Sequence, residues 1–369
     1  MSMDRLEYRQ NTIETFFDTE SVDGIWFARP RNFAWLTGGS NVIDHTTMIG
    51  VAAAGYTRTD GFVCITNNTE AARLRDEELP DEFTIMSYDW YEQSLATAVA
   101  MHTTKASVAD FDVPDTKQVD GSQFRRPLAA SDIQPYRELS HEVAATIERV
   151  AKKVNPGDTE REVATAIKAT HAERGIKTPV VLVGGHDRVS TYRHFTPTTT
   201  TVGSYIVISV TAERHGRHVS ATRAIAFEES VLNQLREYHN IAMRIEVTAL
   251  DATREAARSD GTAADVFDAI TDAYEVLGDS EEWRQHHHGG ATGFAGREWI
   301  ATPDSDEKIN SPLAYAYNPT FREAKSEDTA LLIDDSIEIV SITGSWPTQR
   351  VMSCQSSFGI DRHKVLDST

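Results

Sequence analysis

A chain of 369 residues is too long to fold around one ordinary hydrophobic core, so we predict two domains. It carries a formal net charge of −20, from 56 acidic and 36 basic residues, and only 9 of the basic residues are lysines. Because the sequence has no basic stripe to bind a phosphate backbone, nucleic-acid binding is excluded. A dispersed acidic surface poor in lysine predicts a halophilic protein; an ordinary acidic protein is the alternative.

Membrane and disulfide classes are also excluded. No apolar run approaches the roughly 18 residues of a membrane helix, and the charged N-terminus lacks the apolar segment of a signal peptide. Cys64 and Cys354 lie far apart in the sequence and form no CxxC pair. This pattern predicts a cytoplasmic protein with no membrane partner, no disulfide framework and no thiolate zinc site.

The first 120 residues alternate between helical and strand-like segments. Periodic apolar residues predict helices at 5–18, 69–78 and 91–101, and short apolar runs predict strands at 24–28, 49–54, 61–66 and 83–88. A further helix begins in the segment NFAWLTGG and is ended by Gly38 and Gly39. We therefore predict a small α/β domain over residues 1–120.

Residues 121–131 contain Pro, Gly, Asp and Ser without periodicity, which predicts a linker. A long helix then ends at Asn155-Pro156-Gly157, and Thr159 with Glu162 has the spacing of a capping box for the next helix. The rest of 132–369 predicts helices at 229–257 and 263–277 and strands at 179–183, 205–210, 219–227, 313–317 and 330–343. We predict an α+β domain in which helices cover a mostly antiparallel sheet.

Six segments of this second domain follow one another in a distinctive order. They are the junction at 154–162, Arg193–Pro197 with the strand after it, Val219–Arg223, His286–Gly293, Tyr317–Pro319 and Ser326–Thr329. In this order they resemble the creatinase/prolidase/methionine aminopeptidase (pita-bread) superfamily. The first domain resembles the creatinase/prolidase N-terminal domain. The resemblance covers nearly the whole chain and implies an α+β pita-bread C-terminal domain preceded by a smaller α/β domain.

Metal-dependent members of the superfamily hold two metal ions with two aspartates, one histidine and two glutamates. The resemblance implies that these positions are here Ser209, Ser220, Gly290, Asn318 and Glu327. Only Glu327 keeps the chemistry of a ligand, and hydroxyl and amide dipoles do not supply the negative charge that two neighbouring divalent ions require. A later family histidine falls on Arg297, a cation that would repel metal. We expect no metal and no other cofactor.

Creatinase hydrolyses a C–N bond without metal, and the resemblance implies His194 as the proton-transferring histidine and Glu327 as its carboxylate partner. We therefore predict a metal-independent hydrolase of a C–N bond in a small amino-acid-like or guanidino/amidino compound. The residues expected to bind this substrate are Arg297, Ser209, Ser220, Asn318, Asp44 and His45. Asp44 and His45 are included because this region reaches the neighbouring active site in creatinase-like homodimers, and a homodimer is expected here.

Two alternatives stay open at the level of the sequence. One is a catalytically inactive pita-bread protein that binds a peptide or protein. The other is an Xaa-Pro-type peptidase with a metal site rebuilt from nearby histidines, which are His215, His218, His286, His287 and His288. Arg223 is a further carboxylate-binding candidate, with a structural role as its alternative.

Overall fold

The structure, a computed structural model, describes residues 5–369 and divides the chain into two compact units. The first unit extends to Ile133 and includes His215–Arg217. The second comprises Gln134–Arg214 and His218–Thr369. The charged start of the chain, 1–4, lies outside the described residues. From residue 5 onwards, no helix combines the length and apolar character needed to cross a membrane.

The first unit is built on one mixed sheet of six strands. In chain order the strands are β1 (Gly24–Phe27), β2 (Ala52–Thr57), β3 (Gly61–Asn67), β4 (Thr84–Tyr88), β5 (Ser107–Ala109) and β6 (Lys117–Gln118), and their spatial order is β4-β3-β2-β1-β5-β6. The helices are α1 (Arg5–Glu20), α2 (Pro30–Thr37), α3 (Ala71–Arg73), α4 (Leu95–Ala100) and α5 (Ser122–Arg125), with a π-helical turn at Leu74–Glu78. The predicted α/β architecture is confirmed.

Helix α2 shows how local sequence sets its ends. Pro30 occupies the first turn, where its missing N–H has no intrahelical partner to lose. Gly38 ends the helix in the left-handed conformation, with φ 83°, and its N–H donates to the carbonyl of Ala34. A side chain at Gly38 would also collide with the guanidinium of Arg5, which donates to the carbonyl of Thr37 at 2.8 Å.

The segment predicted as a linker, 121–131, is packed against the first unit. Phe124 and Leu128 are each 2% exposed, and the Phe124 ring lies 5.5 Å from that of Phe27 and 5.9 Å from that of Trp35. The next helix, α6 (Ala130–Ala151), begins within this segment. Its composition is that of a turn, but Phe124 and Leu128 are buried in the core of the first unit.

The second unit contains two four-stranded sheets. Strands β7 (Lys177–Gly185), β8 (Tyr205–Arg214), β9 (Arg217–Ala226) and β18 (Leu366–Asp367) have the spatial order β18-β9-β8-β7. Strands β10 (Gly289–Thr292), β11 (Leu313–Tyr317), β14 (Asp328–Ile333) and β15 (Ser336–Ile339) form an antiparallel sheet in the order β10-β11-β14-β15. Two hairpins pair β12 (Thr320–Phe321) with β13 (Ala324–Lys325) and β16 (Thr348–Met352) with β17 (Gly359–His363).

The helices of this unit, besides α6, are α7 (Glu160–Ala172), α8 (His186–Val189), α9 (Glu229–Arg258) and α10 (Ala263–Leu277), with a 3₁₀ turn at Glu282–Gln285. The capping box predicted at Thr159 and Glu162 is present, with both reciprocal hydrogen bonds formed. The strand predicted over 330–343 is instead two strands. Asp334 adopts φ 51° between them and reverses the chain.

Candidate active site

Glu327 lies at the meeting point of the two sheets of the second unit. It immediately precedes β14, and the β11–β14 ladder pairs Tyr317 with Asp328, so the next opposed positions are Asn318 and Glu327. The carbonyl of Glu327 accepts a hydrogen bond from the N–H of Thr222 on β9 at 2.8 Å. The polar side chains that the sequence distributes over three strands are thereby brought to one place.

The Glu327 carboxylate is surrounded by donors. Its Oε1 accepts from Arg297 at 3.0 Å, and its Oε2 accepts from Ser209 at 3.0 Å and from Thr222 at 2.9 Å. The ammonium of Lys325 lies 3.3 Å from the same Oε2 and donates to the Ser209 hydroxyl at 3.1 Å. The side chain of Glu327 is only 4% exposed, so two cations and two hydroxyls, rather than water, solvate it.

These contacts decide the protonation state of Glu327. Burial by itself would raise the pKa of the carboxyl, but the charges of Lys325 and Arg297 and the hydrogen bonds from Thr222 and Ser209 outweigh burial and hold the pKa below its ordinary value. Glu327 is therefore a carboxylate at neutral pH. Because its pKa is lowered, it is a poor proton acceptor and a good electrostatic anchor.

A row of hydroxyl groups covers the sheet beside Glu327. The hydroxyls of Thr211 and Ser220 lie 2.9 Å apart, and that of Thr222 donates to Ser209 at 2.9 Å. The structure thus places Ser209 in direct contact with Glu327, as predicted for one pocket, while Ser220 contacts Thr211 and Thr329. These four hydroxyls thus form two hydrogen-bonded pairs, and each hydroxyl remains uncharged at neutral pH.

The donor set does not fit a pair of divalent metals. Glu327 is already neutralised by two cations, its closest companions are hydroxyls, and the Arg297 and Lys325 charges would repel a metal ion. At Gly290 a side chain would begin 2.3 Å from the carbonyl oxygen of Trp299 and 2.7 Å from its ring, so the packing leaves no room for a histidine. No group of three or more His, Cys, Asp or Glu residues suited to a metal occurs within residues 5–369.

His194 lies on the exposed side of the second unit, with its ring centroid 6.3 Å from that of His287. Across the described residues, no hydrogen bond or ion pair joins His194 to Glu327, so the direct His194–Glu327 pair predicted from the sequence is not formed. His287 is near both groups, because the charges of His194 and of Glu327 both affect its pKa. Burial and the charges of Arg297 and Lys325 lower its pKa, whereas the charge of Glu327 raises it, and the net shift is downward.

The other two histidines of the triplet have structural partners. His286 contacts the Thr320 hydroxyl at 2.7 Å, and His288 contacts the carbonyl of Trp283 at 2.9 Å. Burial lowers the pKa of both, to about 2 for His286 and about 4 for His288. They are neutral at physiological pH and serve the packing of this loop.

Asp44 and His45 belong to the first unit and are exposed. Hydrogen bonds from the backbone N–H and the hydroxyl of Thr46, both 2.8 Å, fix the Asp44 carboxylate and lower its pKa. This is a local turn that Asp44 stabilises by itself. The participation of Asp44 and His45 in a substrate pocket stays a prediction.

Arg223 has a structural role. Its guanidinium donates to Glu148, to Asp328 and to the carbonyl of Ser341, each at 3.0 Å, and its side chain has no exposure. No donor capacity is directed to the Glu327 site.

A buried ion network lies behind Glu327. Asp328 contacts Arg223 at 3.0 Å, Arg362 at 2.9 Å and His363 at 2.7 Å, and Arg362 donates to Glu246 at 3.0 Å. Burial would raise the pKa of Asp328, but the charges of Arg223, His363 and Arg362 hold it well below its usual value. Burial raises the pKa of Glu246. Since the backbone N–H of Asp328 donates to Glu246 at 3.0 Å, the network fixes the segment that carries Glu327.

Lys325 was not among the residues singled out from the sequence. Residues two apart in an extended segment face the same side, so a lysine at 325 beside a glutamate at 327 was the available signal. His287 was considered only as a metal ligand. It is close to His194 because two loops that are 93 positions apart in the sequence meet, and no local sequence pattern indicates this contact.

The fold and the site define a class of protein: an α/β domain is followed by a pita-bread domain, in which side-chain cations compensate the charge of Glu327. Residues 135–309 match the model of metallopeptidase family M24. This match falls within the domain whose ordered sequence segments resemble the creatinase/prolidase/methionine aminopeptidase superfamily, and it supports that prediction.

Solved structures extend the likeness to the whole chain. A Xaa-Pro dipeptidase from Bacillus anthracis superposes with a TM-score of 0.74 at 14% identity, covering 99% of this chain and 100% of that one. The prolidase from Pyrococcus horikoshii OT3 gives 0.69 at 16% identity, covering 91% and 98%. The N-terminal domain of FACT complex subunit SPT16 from Cicer arietinum gives 0.66 at 11% identity, covering 93% and 98%. No curated protein matched in sequence.

Proposed function

We propose that this protein is a metal-independent hydrolase of a C–N bond in a small amino-acid-like compound. The family match supports a hydrolase. The observation that carries the metal-independent part is the contact of the Glu327 carboxylate with two cations, Arg297 and Lys325, which compensate its charge where a metal ion otherwise would.

In the proposed reaction His194 acts as general base and then as general acid. It accepts a proton from water while the water oxygen bonds to the substrate carbon, and it returns that proton to the nitrogen as the C–N bond breaks. The exposed imidazole, which has no hydrogen-bond partner among the described residues, is available for both steps. Glu327 does not orient His194 directly in this scheme; it holds Arg297 and Lys325 in position.

The guanidino/amidino part of the sequence hypothesis is disfavoured. A cationic substrate would need a carboxylate to receive it, and Glu327 is already shared between two cations. We therefore retain the C–N bond and the amino-acid-like substrate and set aside the cationic one.

The test is turnover of a panel of Xaa-Pro dipeptides and N-acyl amino acids, measured as released amine in chelator-treated buffer. For any substrate found, His194→Ala is expected to lower kcat by about a hundredfold or more, the usual contribution of a general acid/base. His141→Ala, an exposed histidine on α6, is the matched control and should leave kcat unchanged. Equal kcat in His194→Ala and wild type would refute the mechanism.

A binding role is the second candidate, favoured by one observation: His194 has no carboxylate contact to orient it. The same fold occurs in the N-terminal domain of FACT complex subunit SPT16. Absence of turnover across the panel, together with retained binding of a panel member, would select this candidate.

A further inference from the structure

We propose that a cavity beside α9 binds a small organic monoanion that has an apolar body and a hydroxyl or N–H donor. The cavity has a volume of about 410 Å³, which is within the range of cavities that hold small ligands. It lies inside the second unit, between α9, β16 and the short segment that joins β17 to β18.

This cavity is distinct from the site at Glu327. None of the four side chains that contact the Glu327 carboxylate, which are Arg297, Lys325, Ser209 and Thr222, lines it. The inference therefore goes beyond the proposed hydrolysis and does not depend on it.

Two walls enclose the cavity. One wall is a single face of α9, since its four residues are at helical positions i, i+3, i+4 and i+7: Arg236, His239, Asn240 and Met243. The other wall consists of Gln349 on β16 together with Lys364 and Val365. The helix supplies the face by its periodicity, and the end of the chain is laid across that face.

The inner part of the cavity is apolar. Met243 and Val365 are each 2% exposed, and they belong to two different hydrophobic clusters. Met243 packs with Val247 and Val351, whereas Val365 packs in the cluster that contains Leu235. Because the two clusters do not merge, the space between them has apolar surface available to the body of a ligand.

The charged side chains that line the cavity are both cations. Arg236 forms an exposed ion pair with Asp367 at 2.9 Å, whereas Lys364 is half-buried and takes part in no ion pair across residues 5–369. No lining residue is acidic, so Arg236, Lys364 and Asp367 together leave one positive charge. In a chain with a net charge of −20 this is a local exception, and it favours a monoanion.

His239 supplies a hydrogen-bond acceptor. Its Nε2 lies 2.8 Å from the carbonyl oxygen of His363, and because a carbonyl can only accept, Nε2 carries the proton. Burial lowers the pKa of His239 to about 4, so the ring is neutral at physiological pH and Nδ1 keeps a lone pair. Nδ1 is buried and has no hydrogen-bond partner in the described part of the chain. Since the ring lines the cavity, a donor on a bound ligand would complete it.

These features define the ligand. The single positive charge favours a carboxylate over a phosphate dianion, Met243 and Val365 favour an apolar body, and His239 favours a hydroxyl or N–H next to the carboxylate. The amides of Asn240 and Gln349, which are 3.3 Å apart, add polar groups at the more exposed side. Small 2-hydroxy acids with a branched or aromatic side chain have all three features.

Isothermal titration calorimetry of the full chain with 2-hydroxy-3-methylbutanoate, 2-hydroxy-4-methylpentanoate and mandelate tests the site. Each acid is compared with its uncharged amide and with the acid that lacks the hydroxyl. We expect at least one hydroxy acid to bind with a millimolar or lower Kd, its amide to bind at least about tenfold more weakly, and the acid without the hydroxyl about two- to tenfold more weakly. Inorganic phosphate, which has no apolar body, should bind more weakly than that hydroxy acid.

Variants of Lys364 locate the binding. Lys364→Met removes the charge but keeps the apolar stem, and it should weaken binding of the hydroxy acid by about tenfold. Lys364→Arg should retain binding. The matched control is Lys168→Met, which removes an exposed lysine on α7 and should not weaken binding. A melting temperature for each variant verifies folding.

Nuclear magnetic resonance of histidine-labelled protein tests the acceptor. The imidazole signals that are missing in His239→Gln identify His239, and this variant keeps a side-chain donor for the carbonyl of His363. The Nδ1 resonance of His239 should move when the hydroxy acid binds and should move less with the acid that lacks the hydroxyl.

Four results would each overturn the proposal: no millimolar binding by any hydroxy acid, equal affinity for acid and amide, phosphate binding as tight as that of the best acid, or equal effects of Lys364→Met and Lys168→Met. An unmoved Nδ1 resonance would refute the role of His239 as acceptor. None of these measurements involves turnover, so the hydrolase proposal can fail while this site stands, and the reverse.

Discussion

The ammonium of Lys325 lies 3.3 Å from the Glu327 carboxylate, and the two residues are separated by one position in the chain. Arg297 contacts the other carboxylate oxygen, so a potential metal ligand is surrounded by two side-chain cations. These three residues form an ion cluster. The predictions on metal affinity and on folding stability follow from that cluster and from the ion network behind it.

The first prediction concerns metal binding. Elemental analysis after incubation with Mn²⁺, Co²⁺ or Zn²⁺ and gel filtration should give far less than one ion per chain, because Arg297 and Lys325 repel a divalent ion from Glu327. Chelator treatment should leave the melting temperature unchanged. Two ions per chain, with a melting temperature that falls on chelation, would contradict the assignment.

A second prediction concerns the buried network. Arg362→Met leaves Glu246 and Asp328 buried without one of their cations and should lower the free energy of unfolding by about 3–5 kcal/mol. The matched control is Arg137→Met, which breaks an exposed ion pair with Glu338 and should cost about 1 kcal/mol or less. Denaturant unfolding measures both. Similar losses in the two variants would show that the network contributes little.

The third prediction is a pH dependence. Burial lowers the pKa of His288 in the folded state to about 4, below the ordinary histidine value of 6.5. Between these values the unfolded chain binds a proton that the folded chain does not, so stability is lost as the pH falls from 6.5 towards 4. The variant His288→Gln keeps a donor for the carbonyl of Trp283 but does not titrate. As the pH falls from 6.5 towards 4, the free energy of unfolding of wild type should therefore decrease relative to that of this variant. Parallel curves of unfolding free energy against pH would count against a buried neutral His288.

The two cysteines should differ in reactivity. Burial raises the pKa of the Cys64 thiol to about 12, and the residue has no exposure, whereas Cys354 is partly exposed. A thiol reagent should therefore modify one cysteine in the native protein and two after denaturation. Cys354→Ser should abolish the native reaction, and persistence of that reaction would place it at Cys64.

The last prediction concerns salt. With a net charge of −20, self-repulsion should destabilise the chain at low ionic strength. The melting temperature should rise as KCl increases from about 0.1 M to about 1 M, over which the screening length falls from about 10 Å to about 3 Å. A flat response would favour an ordinary acidic protein over a halophilic one.

The spacing of apolar residues, together with residues that begin or end helices, determined most of the fold. The apolar spacing of α6 and α9, the capping box at Thr159 and the glycine that ends α2 are local features, and each formed where it was predicted. The segment 121–131 has the composition of a turn, and its packing could not be predicted because the contact of Phe124 with Phe27 links positions far apart in the sequence.

The sequence by itself also predicted which residues stand at the family's metal positions, because order along the chain can be compared without a structure. Only the tertiary structure decided what those residues do. Glu327 is neutralised by Arg297 from another strand connection and by Lys325 from β13, Trp299 closes the space at Gly290, and His194 meets His287 instead of Glu327. Charge compensation depends on distance in space, and the sequence records these distances only where the partners are neighbours along one strand.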